Sequence, residues 1–153
     1  MTSPRPAPGA QIIELDEAAT ALAYPPMKEL RPHLGSSAEF VELVHAQRAE
    51  GYRLVVLSDS GAVVAAAGFR ILRCLAWGRV VYIDDLCTLP EVRGRGHAGA
   101  LLRWVDDEAR RLGCGQVHLD SGTQRHTAHR RYLASGFHIP AFHFAKPVPT
   151  SAE

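Results

Sequence analysis

The chain has 153 residues, enough for one domain with a sizeable core. Apolar residues make up 46% and charged residues 22%, the balance of an ordinary globular protein. A formal net charge of +1 excludes a general nucleic-acid binder with a strongly basic face, though not a small basic groove for an anionic ligand.

Cys74, Cys87 and Cys114 form an odd, widely spaced set that is neither a disulfide framework nor a zinc pattern, which points to a reducing, cytoplasmic setting. The first nine residues carry Pro and Gly but no apolar run, so no signal peptide is expected. No segment reaches the ~18 consecutive apolar residues of a membrane span, and no membrane association is expected. Residues 1–10 and 147–153 are expected to be flexible tails around a domain at residues 11–146.

In chain order, Gln11 to Leu15 predicts a first strand, and Asp16 a cap for a helix through Leu22. Pro25 and Pro26 interrupt that helix, because proline lacks the N–H and clashes with the preceding turn. A second short helix runs from Met27 to Arg31. Ser36 with Glu39 three residues on is a capping box for the next helix. Tyr52 to Ser58 predicts a strand, Asp59-Ser60-Gly61 a hairpin turn, and Ala62 to Arg73 its partner, with Gly68 marking a bulge. Arg79 to Thr88 is a buried strand. Residues 96–112 place Ala98, Leu101, Leu102, Val105 and Ala109 on one helical face, ended by Gly113 and Gly115. A strand over residues 116–120, a short helix over 127–135 and one or two final strands over 137–146, broken at Pro140, complete the order. The whole predicts a single α+β domain: a mixed, mostly antiparallel sheet of six to seven strands with about four helices.

The most informative run is Arg93-Gly94-Arg95-Gly96-His97-Ala98-Gly99, between a buried strand and a long amphipathic helix. Glycines let a backbone turn tightly and approach a ligand with no Cβ in the way. The first N–H groups of a helix have no partner inside it, and with the helix dipole they form an anion site. Arg93 and Arg95 add charge-assisted donors for phosphate. The Gly-Lys-Ser/Thr ending of a P-loop is absent, and the run does not open a first βαβ unit as a dinucleotide fingerprint does.

Arg93, Gly96 and Ala98 resemble the Arg/Gln-x-x-Gly-x-Gly/Ala motif of the GCN5-related N-acetyltransferase (GNAT) family. The preceding Leu86-Cys87-Thr88-Leu89-Pro90 is similar to that family's splayed strand and proline turn. The later Ala128, Tyr132 and Gly136-Phe137 are similar to its A-x-x-x-Y-x-x-x-G-F element. The resemblance covers roughly residues 82–137. It implies an acetyl-CoA-dependent N-acetyltransferase acting on a primary amine of a small molecule or peptide. The alternative from another class is a non-catalytic acyl-CoA-binding sensor or scaffold.

The resemblance also implies roles. Backbone N–H groups at Arg93, Gly94, Arg95 and Gly96, continuing through His97, Ala98 and Gly99, would hold the pyrophosphate of coenzyme A. Backbone groups of Leu86, Cys87 and Thr88 would meet the pantetheine arm, the Cys87 N–H polarising the thioester carbonyl. Tyr132 would protonate the departing thiolate. Arg125 stands where many members carry an Asn that holds the cofactor arm, so its contact to coenzyme A is a departure from the pattern.

An amine must lose a proton to attack, and alkyl amines are mostly protonated at neutral pH. Tyr82-Ile83-Asp84-Asp85-Leu86 offers two acids and resembles the Tyr-Leu-Glu-Asp run of diamine acetyltransferases. On that resemblance Asp84 is the base and Asp85 a substrate contact, although either acid could be the base. By period-two alternation the two point to opposite faces. The plainer alternative is an acid paired with a core arginine and another in solvent. Tyr24, Glu29 and Asp85 would line an amine site. His118 with Asp120, and His126 with His129, each lack a third ligand, so no metal is expected. Homodimer formation is compatible with all of this; nucleic-acid partners are not expected.

Overall fold

The computed structural model describes residues 9–150 and divides the chain into two compact units, Met1–Leu119 and Asp120–Glu153. The first unit is built on one five-stranded sheet in the spatial order β1 (Ala10–Glu14), β2 (Arg53–Asp59), β3 (Ala62–Cys74), β4 (Gly78–Thr88), β5 (Gln116–Leu119). The first four strands are antiparallel neighbours, and β4 pairs with β5 in parallel. The sheet is thus mixed and mostly antiparallel as expected, with five strands rather than six or seven.

Local chemistry explains most boundaries. Ser36 accepts from the Glu39 N–H at 3.2 Å and the Glu39 carboxylate accepts from the Ser36 N–H at 2.5 Å, so the capping box opens α2 (Ser37–Ala49). Ser60 and Gly61 both take left-handed φ, 53° and 83°, which matches a two-residue hairpin loop to the twist of β2 and β3. Pro25 and Pro26 sit in the first turn of α1 (Tyr24–Leu30), where their missing N–H is not needed. The segment before it is a short 3-10 turn, Thr20–Ala23, rather than an α-helix, and Asp16 accepts from the Ala19 N–H at 2.9 Å ahead of it. Ala10 belongs to β1 and so lies inside the folded unit. Residues 1–8 and 151–153, the greater part of the expected tails, lie outside the described residues.

The central strands carry apolar side chains on both faces, because both are covered. On one face Ala23, Met27, Phe40, Val44 and Leu54 belong to one core cluster beneath α1 and α2. On the other, α3 (His97–Arg111) buries Leu101 and Val105, and its Trp104 meets Phe69 of β3 edge-on at 5.9 Å. Arg53 pins this second face. It reaches both oxygens of Glu14 at 2.7 Å and Glu108 of α3 at 2.7 Å, and its guanidinium lies 4.9 Å from the Phe69 ring centroid. No helix among the described residues is long and apolar enough to cross a membrane.

The second unit contains α4 (His126–Ala134), ended by Gly136 at φ 90°. No strand forms over residues 137–146, contrary to expectation. Ile139, Phe142 and Phe144 are exposed, and Pro140 and Pro147 interrupt any donor row a ladder would need.

Glu108 tests the packing of α3. Its carboxyl is held at about 2, against an ordinary 4.5, chiefly by the hydrogen bonds from Arg111 at 2.6 and 2.8 Å and then by Arg53. A lowered carboxyl contributes stability that is present above its unfolded value and lost as pH falls toward the folded one. Because Arg111 is exposed and screened, the contribution is about 2 kcal/mol rather than the full linkage value. Urea unfolding of Glu108→Gln should show a loss of about that size at pH 7 that shrinks as pH falls through 2; an equal deficit at pH 7 and at pH 2 would assign the loss to packing alone.

Candidate active site

β4 is eleven residues long and β5 four, and they pair only from Val80 opposite Gln116 to Ile83 opposite Leu119. On the other side β4 stays paired with β3 as far as Thr88 opposite Ala65. The last turn of β4, from Asp84 to Thr88, therefore runs on past the end of β5. The Thr88 hydroxyl oxygen is buried there with no hydrogen-bond partner.

A short 3-10 turn, Pro90–Val92, carries the chain from β4 to the glycine loop. Gly94 and Gly96 have φ of 81° and 84°, a region open to glycine and strained for other residues. Gly96 is the N-cap of α3 and no side chain caps that end. The first hydrogen bond of the helix runs from the Ala100 N–H to the Gly96 carbonyl at 3.0 Å. The N–H groups of the preceding turn thus point out of the helix, at its positive end. Arg93 ties this loop to its neighbours: its Nε donates to the Thr88 carbonyl at 3.2 Å, and its Nη2 lies 3.7 Å from Glu29 Oε1. Its side chain stays more than half exposed, as an anion-binding arginine requires. His97 is buried at the start of α3, 3.7 Å from Asp59, a separation too long for a direct hydrogen bond.

The two acids do not follow the expected alternation. Asp85 is registered opposite Gly68 and Ile83 opposite Phe69, so Asp84 is the extra residue of a bulge in β4. Gly68 faces the bulge; the inserted residue is on the other strand. Both carboxylates consequently enter one cluster. Asp84 Oδ2 accepts from Arg70 Nε at 2.9 Å. Asp85 Oδ1 accepts from Arg31 Nε at 3.1 Å, and Asp85 Oδ2 from the Tyr52 hydroxyl at 2.9 Å. Arg70 also lies over the Tyr52 ring at 5.8 Å, which joins the two halves. Partial burial raises the Asp84 carboxyl above its ordinary value, and the Arg70 hydrogen bond opposes that rise. Burial, then the charge of Asp85, push the Tyr52 phenol well above 10, so it remains a donor.

Within the first unit, the structure brings Thr88, Arg93 and Glu29 together, and Asp84 with Asp85. Tyr24 stands apart from both groups: its hydroxyl donates to the Gly35 carbonyl at 2.7 Å and its ring packs on Phe40 at 5.7 Å. Cys87 is buried in β4, and Arg95 is exposed in the loop. In the second unit, Tyr132 is buried in α4, 5.8 Å from the Phe137 ring, and Arg125 is the exposed N-cap residue of that helix. Three members of the acid cluster, Arg31, Tyr52 and Arg70, escaped the sequence reading. An aromatic opening a strand and arginines in ordinary positions carry no signal until long-range contacts form.

The model of the acetyltransferase (GNAT) family matches residues 17–137. The chain belongs to that family. An N-acetyltransferase of Bacillus subtilis (strain 168), YhdJ, is 36% identical over 129 residues, 84% of this chain and 91% of the relative. The aminoalkylphosphonate N-acetyltransferase of Salmonella typhimurium is 38% identical over 66 residues, 43% of either chain. Among solved structures, the aminoglycoside acetyltransferase AAC(6')-Iy, in complex with a CoA-containing bisubstrate analogue, shares the fold with a TM-score of 0.78 at 18% identity, over 92% of this chain and 99% of that one. The ribosomal-protein-alanine N-acetyltransferase of Brucella melitensis shares it with a TM-score of 0.79 at 16% identity over the same shares. This GNAT protein is accordingly an acetyltransferase with an α+β fold.

The opposing effects on Asp84 can be separated. Arg70→Gln removes the group that holds its carboxyl down while leaving the burial that lifts it. Carbon-detected NMR of the Asp84 carboxyl should show its titration moving to higher pH in that variant; an unmoved midpoint would mean that Arg70 does not bear on Asp84 in solution.

Proposed function

We propose that this GNAT acetyltransferase transfers an acetyl group from acetyl-CoA directly to the primary amine of a small molecule or peptide. The observation that carries this reading is the conjunction of a β4 end that outruns β5 with a glycine loop whose uncapped helix N-terminus follows at once. The pyrophosphate of acetyl-CoA takes the outward N–H groups at Gly96, His97 and Ala98, and Arg93 adds charge to the same anion. The backbone of Leu86, Cys87 and Thr88 receives the pantetheine arm, and the buried Thr88 hydroxyl has a hydrogen bond to give it. Arg125 supplies a further cofactor contact.

Chemistry then follows from charge development. Asp84 takes a proton from the ammonium form of the acceptor, for which a carboxyl raised by burial is better matched than an ordinary one. The free amine nitrogen attacks the thioester carbonyl, and the Cys87 N–H stabilises the oxyanion of the tetrahedral intermediate. The C–S bond breaks, Tyr132 gives its proton to the departing thiolate, and an amide and free coenzyme A leave.

The acceptor class has support in the relatives' names, which cite an aminoalkylphosphonate and an aminoglycoside. Asp85 has both oxygens committed to protein partners, so we assign it an orienting role, Glu29 a substrate contact, and Tyr24 a packing role. Three free thiols suit a cytoplasmic location.

Acetyl-CoA should raise the melting temperature, as any ligand specific for the native state does. Gly96→Asp should abolish that rise by setting a side chain and a negative charge beside the pyrophosphate; undiminished affinity in this variant would remove the loop from the site. Tyr132→Phe keeps the ring and loses the proton, so turnover should fall by ~100-fold with acetyl-CoA affinity preserved. Wild-type turnover there would reduce Tyr132 to packing.

A further inference from the structure

Tyr52 lies just before β2, 4% exposed, and its hydroxyl points at Asp85. The backbone under that hydroxyl is Gly68. A Cβ built on Gly68 would overlap both Oη and Cζ of Tyr52. The φ of Gly68 is not positive, so space and not backbone conformation requires glycine there. Gly68 is also the residue registered opposite Asp85, at the bulge. A strand glycine, a buried phenol and the bulged acids therefore form one socket.

The anchor on Asp85 is two-sided. Tyr52 holds Oδ2, and Arg31, which follows α1, holds Oδ1 and also donates to the Asp84 backbone carbonyl at 3.1 Å. Fixing Asp85 and that carbonyl fixes the bulge, and the bulge sets the direction of the Asp84 side chain. The charged or titratable groups facing the pair are Arg31, Tyr52 and Arg70, with Glu50 at the end of α2 standing 3.9 Å from Arg70. Two arginines oppose two carboxylates, and the phenol is the neutral member that fixes the second oxygen of Asp85.

We propose that Tyr52 is a positioning residue of the acetyltransferase site: its hydroxyl, in a socket that glycine at 68 leaves open, anchors Asp85 and so holds Asp84 where it takes the amine proton. This rests on Asp84 being the base. The proton moves from the ammonium group to Asp84, and Tyr52 keeps its own proton throughout. Losing the hydroxyl frees Asp85 Oδ2 and loosens the bulge, which weakens the Arg70 hydrogen bond that holds the Asp84 carboxyl down.

The test compares the full-length wild type with Tyr52→Phe and with the pair Tyr52→Leu/Gly68→Ala, which refills the socket with aliphatic side chains. Two readouts are taken: the pH dependence of kcat/KM for an accepted amine, and the carboxyl titration of Asp84 by carbon-detected NMR. Tyr52→Phe should move the acid limb of the rate profile and the Asp84 midpoint upward by roughly one unit. It should lower kcat by about tenfold while acetyl-CoA affinity is unchanged. The double variant should reproduce the shifted titration, because it too lacks the phenol. Folded Tyr52→Phe with an unmoved Asp84 midpoint overturns the anchor. The NMR readout needs no turnover, so a wild type that transfers no acetyl group to any amine overturns the base assignment separately.

Discussion

The unequal lengths of two parallel neighbours govern this molecule. β5 gives β4 a partner only as far as Ile83, while β3 supports β4 to Thr88. A sheet interior does not normally leave a strand one-sided, since buried backbone groups need partners. Here the one-sided stretch sits between a bulge carrying two acids and a helix start that favours anions. On the proposed reading, this segment receives the thioester while β3 holds it. The same strand thus serves as scaffold and as site.

Placing two carboxylates in a partly buried strand is costly unless each is paired. Arg70 and Arg31 supply that pairing, one for each acid. Burial lifts the Asp84 carboxyl, while Asp85 has both oxygens occupied by protein donors. At the opposite face, Arg53 and Glu108 fasten α3, the helix that the glycine loop opens, to the sheet.

Features with local causes were legible in the sequence. The Ser36–Glu39 capping box, the Ser60-Gly61 hairpin and the glycine-rich start of α3 stand where residue chemistry places them, because a few adjacent residues determine each. The acid pair shows the boundary of that legibility. Asp84 and Asp85 were visible as unusual, yet alternation assigned them opposite faces, and one inserted residue in β4 brings both to the same cluster. A bulge depends on the partner strand, and Gly68 hinted at its place without saying which strand carried the insertion. Tyr52 contacts Asp85 across 33 positions of sequence, beyond any local pattern. The strand expected over residues 137–146 also fails to form: Phe142 and Phe144 have strand spacing but are exposed, and Pro140 interrupts the run.

Release of free thiol from acetyl-CoA, followed over a panel of primary amines with mass detection of the acetylated product, tests the reading of this site most directly. Thiol and acetyl-amine should appear together, one for one, with at least one small amine. Saturable binding of acetyl-CoA with no thiol released from any amine would contradict it and leave a protein that holds the cofactor without transferring its acetyl group.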